Sequence, residues 1–259
     1  MRRKSLLILV LLCCAAAFGD EWKREYKVGS NPELRVDTND ARIEVRRGGP
    51  TIQARVVTEG YKIGPGDVHI YEREAGNAVS LDVRIPTGPS FSFRNRYVHV
   101  EVSVPQNTKI DLHSGDGSLS LSGTDAPAFL STGDGRIDVS DFSGPLKAKT
   151  GDGSMHISGR FDDLNLSTGD GRIECEVLAG SKMSGRWVIR TNDGSLSLHL
   201  PPKFAADLDA RTGDGHVRVN MPITMKATDS DGHRVRGAVN GGGNLLDIQT
   251  GDGSVEVHD

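Results

Sequence analysis

The phrase Thr132-Gly133-Asp134-Gly135 returns at Thr150 and again at Thr168, each time after 18 residues. Further copies start at Ser114, Thr191 (with Asn192 for the first glycine), Thr212 and Thr250, and a worn one, Thr38-Asn39-Asp40-Ala41, stands near the start. Repetition at a fixed period is the signature of stacked-repeat architectures, so it constrains the fold more than any other feature of the chain.

Aligned on the central Asp, the flanks form columns. The third and fifth residues after Asp are apolar, from Ile43 and Val45 through Ile137 and Val139 to Val255 and Val257. The fourth and second residues before the Thr or Ser are apolar too, from Leu34 and Val36 through Leu164 and Leu166 to Leu246 and Ile248. Alternation with period two predicts two short strands per unit, one face buried and one wet. Gly-Asp-Gly then forms the corner between them, with Gly supplying unusual backbone angles and Asp bonding nearby N–H groups. Thr falls in the buried register.

One unit cannot bury its apolar pairs alone, whereas stacked units share a continuous core. The predicted fold is therefore all-β, a β-solenoid (β-helix) of ~18-residue two-strand coils, each advancing by the inter-strand spacing of ~4.8 Å. A hairpin meander is the rival architecture. It would place turns at alternating ends of the sheet, whereas here the same corner returns once per two strands.

Three segments follow. Residues 1–19 carry Arg2, Arg3 and Lys4, an apolar run from Leu6 to Phe18 and the exit Ala17-Phe18-Gly19, which predicts a secretory signal peptide cut before Asp20. The run is short for a membrane span, and lipid anchoring at Cys13 or Cys14 is the minor alternative. Residues 20–109 read as irregular N-terminal coils that also cap the open end of the stack. Residues 110–259 read as the regular Thr-Gly-Asp-Gly solenoid, continuous with the cap as one domain. Insertions should bulge near Leu178 to Arg186 and Pro201 to Ala206. The Gly-rich stretch from Lys226 to Asn244, within the long last step from Asp214 to Asp252, is either a degenerate coil or a loop, and is read as a loop.

Cleavage leaves Cys175 as the one cysteine, in an apolar column, and so read as a core residue rather than a reactive thiol. Losing Arg2, Arg3 and Lys4 takes the formal net charge from −4 to −7, which argues against nucleic acid as a partner.

The candidate site is the corner column Asp116, Asp134, Asp152, Asp170, Asp193, Asp214 and Asp252, stacked along one edge as a ladder. Stacked carboxylates repel by about 1 kcal/mol per pair in water and by more at lower dielectric. Two readings offset this. Either each Asp accepts backbone hydrogen bonds in its own turn and faces solvent, or cations, Ca²⁺ foremost, sit between successive carboxylates. Arg136 and Arg172, which follow two of the corners, read as charge balance for that ladder. Asp229-Ser230-Asp231-Gly232 lacks the spacing and terminal Glu of a calcium loop. The eight histidines show no metal-ligand spacing and read as scattered over different columns. No dinucleotide motif and no Gly-x-Ser-x-Gly elbow is present, and no cofactor or catalytic residue is assigned.

The Val102-Ser103-Val104-Pro105 strand leading into the first good coil, the serial corners, and the glycines from Gly237 to Gly243 before the last corner resemble the bacterial DUF4097 family, labelled "putative adhesin". The resemblance covers Leu34 to Val257. It implies an exported β-helical module that binds surfaces, and it carries no established catalytic residues.

The function expected is that of an exported, non-catalytic, adhesin-like binding or structural module of the cell envelope, periplasmic, cell-surface or secreted. Its partner would be an envelope component, a surface polymer or another protein, with no integral membrane span after signal cleavage. A calcium-assisted glycan-binding protein is the alternative, and a polysaccharide-acting enzyme on a β-helix the third reading.

Overall fold

A computed structural model of the chain describes residues 19–86, 96–228 and 232–259, without the side chains of 227 and 228. The predicted signal peptide lies outside them except for Gly19, as do residues 229–231 of the calcium-loop-like stretch.

Among the described residues there are 21 strands and no helix. The amino-terminal part holds β1 (Glu21–Tyr26), β2 (Glu33–Thr38), β3 (Arg42–Arg47), β4 (Ile52–Glu59), β5 (His69–Ala75), β6 (Ala78–Arg84) and β7 (Tyr97–Val104). Then come β8 (Lys109–Ser114), β9 (Leu119–Ser122), β10 (Ala128–Ser131) and two long strands, β11 (Ile137–Lys149) and β12 (Met155–Ser167). They are followed by β13 (Ile173–Val177), β14 (Trp187–Thr191), β15 (Leu196–His199), β16 (Ala206–Arg211) and β17 (Val217–Asn220). The last four are β18 (Ile223–Thr228), β19 (Arg234–Val239), β20 (Leu245–Thr250) and β21 (Val255–His258).

Strands that run into a corner pair in parallel with each other, and so do strands that leave one. This gives two sheet faces meeting along the corner edge. On the arriving face Ile110 pairs with Ala128, Ala128 with Leu146 and Leu146 with Leu164. On the departing face Leu119 pairs with Ile137, Ile137 with Met155 and Met155 with Ile173. Alternation then sends the apolar columns between the faces, where they are buried throughout except for the half-buried Val219. β11 and β12 each serve both faces. β11 turns at Asp141, whose φ is 50°, with register shifts on either side of Phe142 to Gly144. At that back edge Phe142, Phe161, Trp187 and Phe204 stack in sequence, with ring centroids 6.1, 6.3 and 5.2 Å apart. The insertions predicted near Leu178 and Pro201 are loops.

Apart from Gly253, whose φ is 150°, the corner glycines have a different reason from the one expected. None of those at 115, 117, 133, 135, 151, 153, 169 and 171 takes a left-handed φ. They are required by close stacking: a Cβ on Gly135 would stand 2.2 Å from the carbonyl oxygen of Gly117, and one on Gly153 2.0 Å from that of Gly135.

The strand order departs from chain order at both ends. β2 and β3 pair inward with β8 and β9 and outward with β6 and β7, which come later in the chain. At the other end β20 and β21 insert between β14/β15 and β16/β17: Leu246 pairs with Trp187 on one side and Leu208 on the other, and Val255 pairs with Leu196 and Val217. A common corner makes any two coils complementary, so chain order need not be stack order.

The stretch read as a loop from Lys226 to Asn244 holds strand at 226–228 and 234–239 among its described residues. β18 and β19 form an antiparallel pair, and β19 adds antiparallel to β16. The other end is finished likewise, by β5 on β6, β4 on β7 and β1 on β4, all antiparallel. Reversing direction ends the run of interchangeable parallel edges, which limits end-to-end addition.

Candidate functional site

Three outward surfaces run along the stack: the corner edge and the wet sides of the two faces. The corner edge carries Asp116, Asp134, Asp152, Asp170 and Asp193 in order, then Asp252, then Asp214, because of the inserted coil. All seven are exposed. Among the described residues none of these carboxylates takes part in a hydrogen bond or an ion pair. The corners are instead stitched by backbone and by Thr. Asn192 N–H donates to Gly169 O at 2.8 Å, and Asp252 N–H to Asn192 O at 2.8 Å. The buried Thr150 hydroxyl lies 3.1 Å from Gly133 O and 3.0 Å from Gly135 O of the coil before, and Thr132, Thr168, Thr191, Thr212 and Thr250 repeat the arrangement. Where the first copy has Asn39, its side chain brackets the Ile85 backbone, donating to the carbonyl at 2.8 Å and accepting from the N–H at 2.9 Å. Burial, and then the neighbouring Asp116, push the Asp40 carboxyl above the usual carboxylate range.

Arg136 and Arg172 do not balance the corner column. Arg136 pairs with Asp138 at 2.7 Å and Arg172 with Glu174 at 3.5 Å, both on the departing face. That face carries two outward columns. The fourth residues after the corner Asp give Ser120, Asp138, His156, Glu174, Ser197, Glu256 and Arg218 in stack order. The sixth residues give Ser122, Ser140, Ser158, Glu176, His199, His258 and Asn220.

Over the middle coils these columns line an open groove of about 500 Å³. His156 lies 3.0 Å from Glu174 through Nε2 and 3.9 Å from Asp138 through Nδ1. Ser158 donates to Glu176 at 2.9 Å. His199 and His258 face each other through Nδ1 at 3.2 Å, and Ser197 Oγ lies 3.4 Å from Nε2 of His258. Five of the eight histidines do lie elsewhere, but three come together. His156, His199 and His258 share one groove, and the last two share one column, six residues after Asp193 and Asp252. That offset was readable in the sequence. Their contact was not, because it depends on the inserted coil. Cys175 lies beneath this face, fully buried, where burial drives its thiol pKa far upward and leaves it inert at neutral pH.

The arriving face is organised by ion pairs. Asp247 on β20 is buried, and Arg186 and Arg190 both donate to its Oδ2, Arg190 at 3.0 Å. Burial alone would raise the Asp247 carboxyl, but these two guanidinium groups outweigh it and hold it below the usual range. Asp209 is similarly lowered by Arg234, against burial, with help from Arg236. Lys147 lies over the ring of Phe129 at 5.5 Å, with His113 against the same ring. Among the described residues no three His, Cys, Asp or Glu side chains converge on one metal position, and no helix is long and apolar enough to cross a membrane.

Comparison with known proteins gives one family, described as Toastrack DUF4097, matching residues 32–258. No curated protein matches. Solved structures with similarity to the chain include a putative cell adhesion protein from Clostridium sporogenes, 13% identical, covering 93% of this chain and 99% of that one, with a TM-score of 0.43. A putative adhesin from Bacteroides fragilis is 12% identical, covering 92% and 97%, with a TM-score of 0.46. A putative lipid binding protein from Parabacteroides distasonis is 13% identical, covering 92% and 96%, also at 0.46.

Proposed function

The chain belongs to the Toastrack DUF4097 family, and from that premise we propose that it is an exported, non-catalytic, adhesin-like module of the cell envelope. In this reading it is a β-solenoid of ~18-residue two-strand coils. Residues 1–19 are removed as a leader, and residues 20–109 and 110–259 act as one continuous rod, since β2 and β3 pair directly with β8 and β9.

The observation that carries the reading is the regularity of the wet surfaces. Outward side chains on the departing face recur in register, one strand apart, from Ser120 to Arg218, beside an edge of exposed carboxylates. Coils repeating at the inter-strand spacing of ~4.8 Å present one exposed carboxylate each along the corner edge, beside columns of varied polar groups. Weak contacts to a repetitive polymer or an envelope protein would then add through multivalency. The corner carboxylates enter as a solvated edge that fixes the sign of charge the partner meets.

The test is co-sedimentation of the protein with isolated cell envelopes and with insoluble polysaccharides, with Ca²⁺ and with chelator. Sedimentation in both buffers, weakened by Asp134→Asn, Asp152→Asn and Asp170→Asn together, is the expected result. Protein that stays in the supernatant under every condition refutes envelope binding. Loss on chelation alone would move the assignment to calcium-assisted recognition.

A further inference from the structure

We propose that His199 and His258 form a site for a first-row divalent cation of the zinc class, bound through the two Nδ1 atoms in the groove of the departing face. Those atoms stand 3.2 Å apart, on strands paired in register and held there by the inserted coil. Two nitrogens bound to one tetrahedral ion at about 2.0–2.1 Å stand ~3.3 Å apart, so the spacing of the pair is within a few tenths of an ångström of that of two bound nitrogens.

Without an ion the contact needs one Nδ1 to carry a hydrogen and donate it to the other. Binding requires both Nδ1 lone pairs, so that hydrogen moves to Nε2 of the same ring with no net proton released from the neutral pair. On His258 this places an N–H beside Ser197 Oγ, 3.4 Å away, which can accept it. Liganding histidines characteristically donate their other ring N–H to such a partner. Glu176, the register partner of His199 on the far side, adds negative charge nearby while its carboxylate is held by Ser158.

Imidazole favours Zn²⁺, Cu²⁺ and Ni²⁺ over Ca²⁺ and Mg²⁺, which prefer oxygen. The ion would therefore sit on the sheet face and not on the corner Asp column. The chain supplies two ligands, and water fills the remaining positions, which open into the groove and can accept a carboxylate or imidazole from another molecule.

Isothermal titration of the full chain with ZnCl₂, and separately with CaCl₂, tests this at neutral pH. One Zn²⁺ per chain is expected, with His199→Ala and His258→Ala each weakening it by about tenfold or more. His156→Ala in the same groove leaves it unchanged, and Ca²⁺ does not compete. Thermal melts in chelator establish that each variant is folded, with His199→Gln and His258→Gln as replacements should an alanine variant not be. In parallel melts without chelator, Zn²⁺ should raise the Tm of the wild type and of neither histidine variant. Zinc binding that survives both substitutions, or that needs millimolar metal, overturns the proposal.

Discussion

Arg190 on β14 donates to the buried carboxylate of Asp247 on β20 at 3.0 Å, joining two strands whose residues are 57 positions apart in the chain. This contact and its companion from Arg186 lie where the late coil is inserted, and they are what a pH or charge change there would disturb first.

Asp247→Ala should therefore cost about 2 kcal/mol, less than a fully buried pair because both arginines are half exposed. The Asp247 carboxyl is lowered in the fold, so its contribution is present above the unfolded carboxylate value of ~3.9 and is lost as pH falls through the lower folded value. Melting temperature against pH measures both effects. The gap between wild type and Asp247→Asn should be widest above pH ~5 and close in acid.

Thr150→Val keeps the shape and removes the hydroxyl shared by Gly133 O, Gly135 O and the Gly153 N–H. The expected loss is about 1–2 kcal/mol in denaturant unfolding. Asp152→Asn, at the same corner but exposed and without a side-chain bond, should stay within ~0.5 kcal/mol of wild type. Equal losses in the two variants would return the structural role to the carboxylate.

Gly153→Ala should destabilise by ~3 kcal/mol or more, because the new Cβ would stand 2.0 Å from the Gly135 carbonyl oxygen and force two coils apart. Gly185→Ala, with nothing within 4 Å, serves as its control and should leave the melting temperature unchanged.

Asp40 is the reverse of Asp247. Its raised carboxyl means that the ionised form is disfavoured in the fold, so the penalty is present above its folded value and disappears as pH falls below the unfolded one. Asp40→Asn should raise the melting temperature at neutral pH and lose that advantage in acid.

The strands and the inward columns were legible because burial on one face leaves a period-two record, as at Leu164 and Leu166. The Thr register was legible for the same reason. The reason for the glycines was not, since close approach between coils and left-handed backbone both select Gly, and only their backbone angles and the approach of Gly117 O to Gly135 separate them. Glycine content misleads between Lys226 and Asn244, because Gly237, where a Cβ would meet the Ile223 side chain at 2.6 Å, serves the close packing of two strands. The His199 and His258 contact lay hidden because identical corners leave stack order unwritten.

Insertion of β20 and β21 also sets an order in time. The chain can stack as it is made up to β15, but β16 and β17, made next, cannot take their final place. They have to wait for the segment Leu245–His258 that separates them from β14 and β15. Whether the chain emerges from a ribosome or from a translocation pore, the edges of β16 and β17 that will meet β20 and β21 stay open in the interval, with β16 able to pair only with β19. Closure is then a single late event between distant parts of the chain, the kind of step that folds slowly and is open to mispairing until it completes.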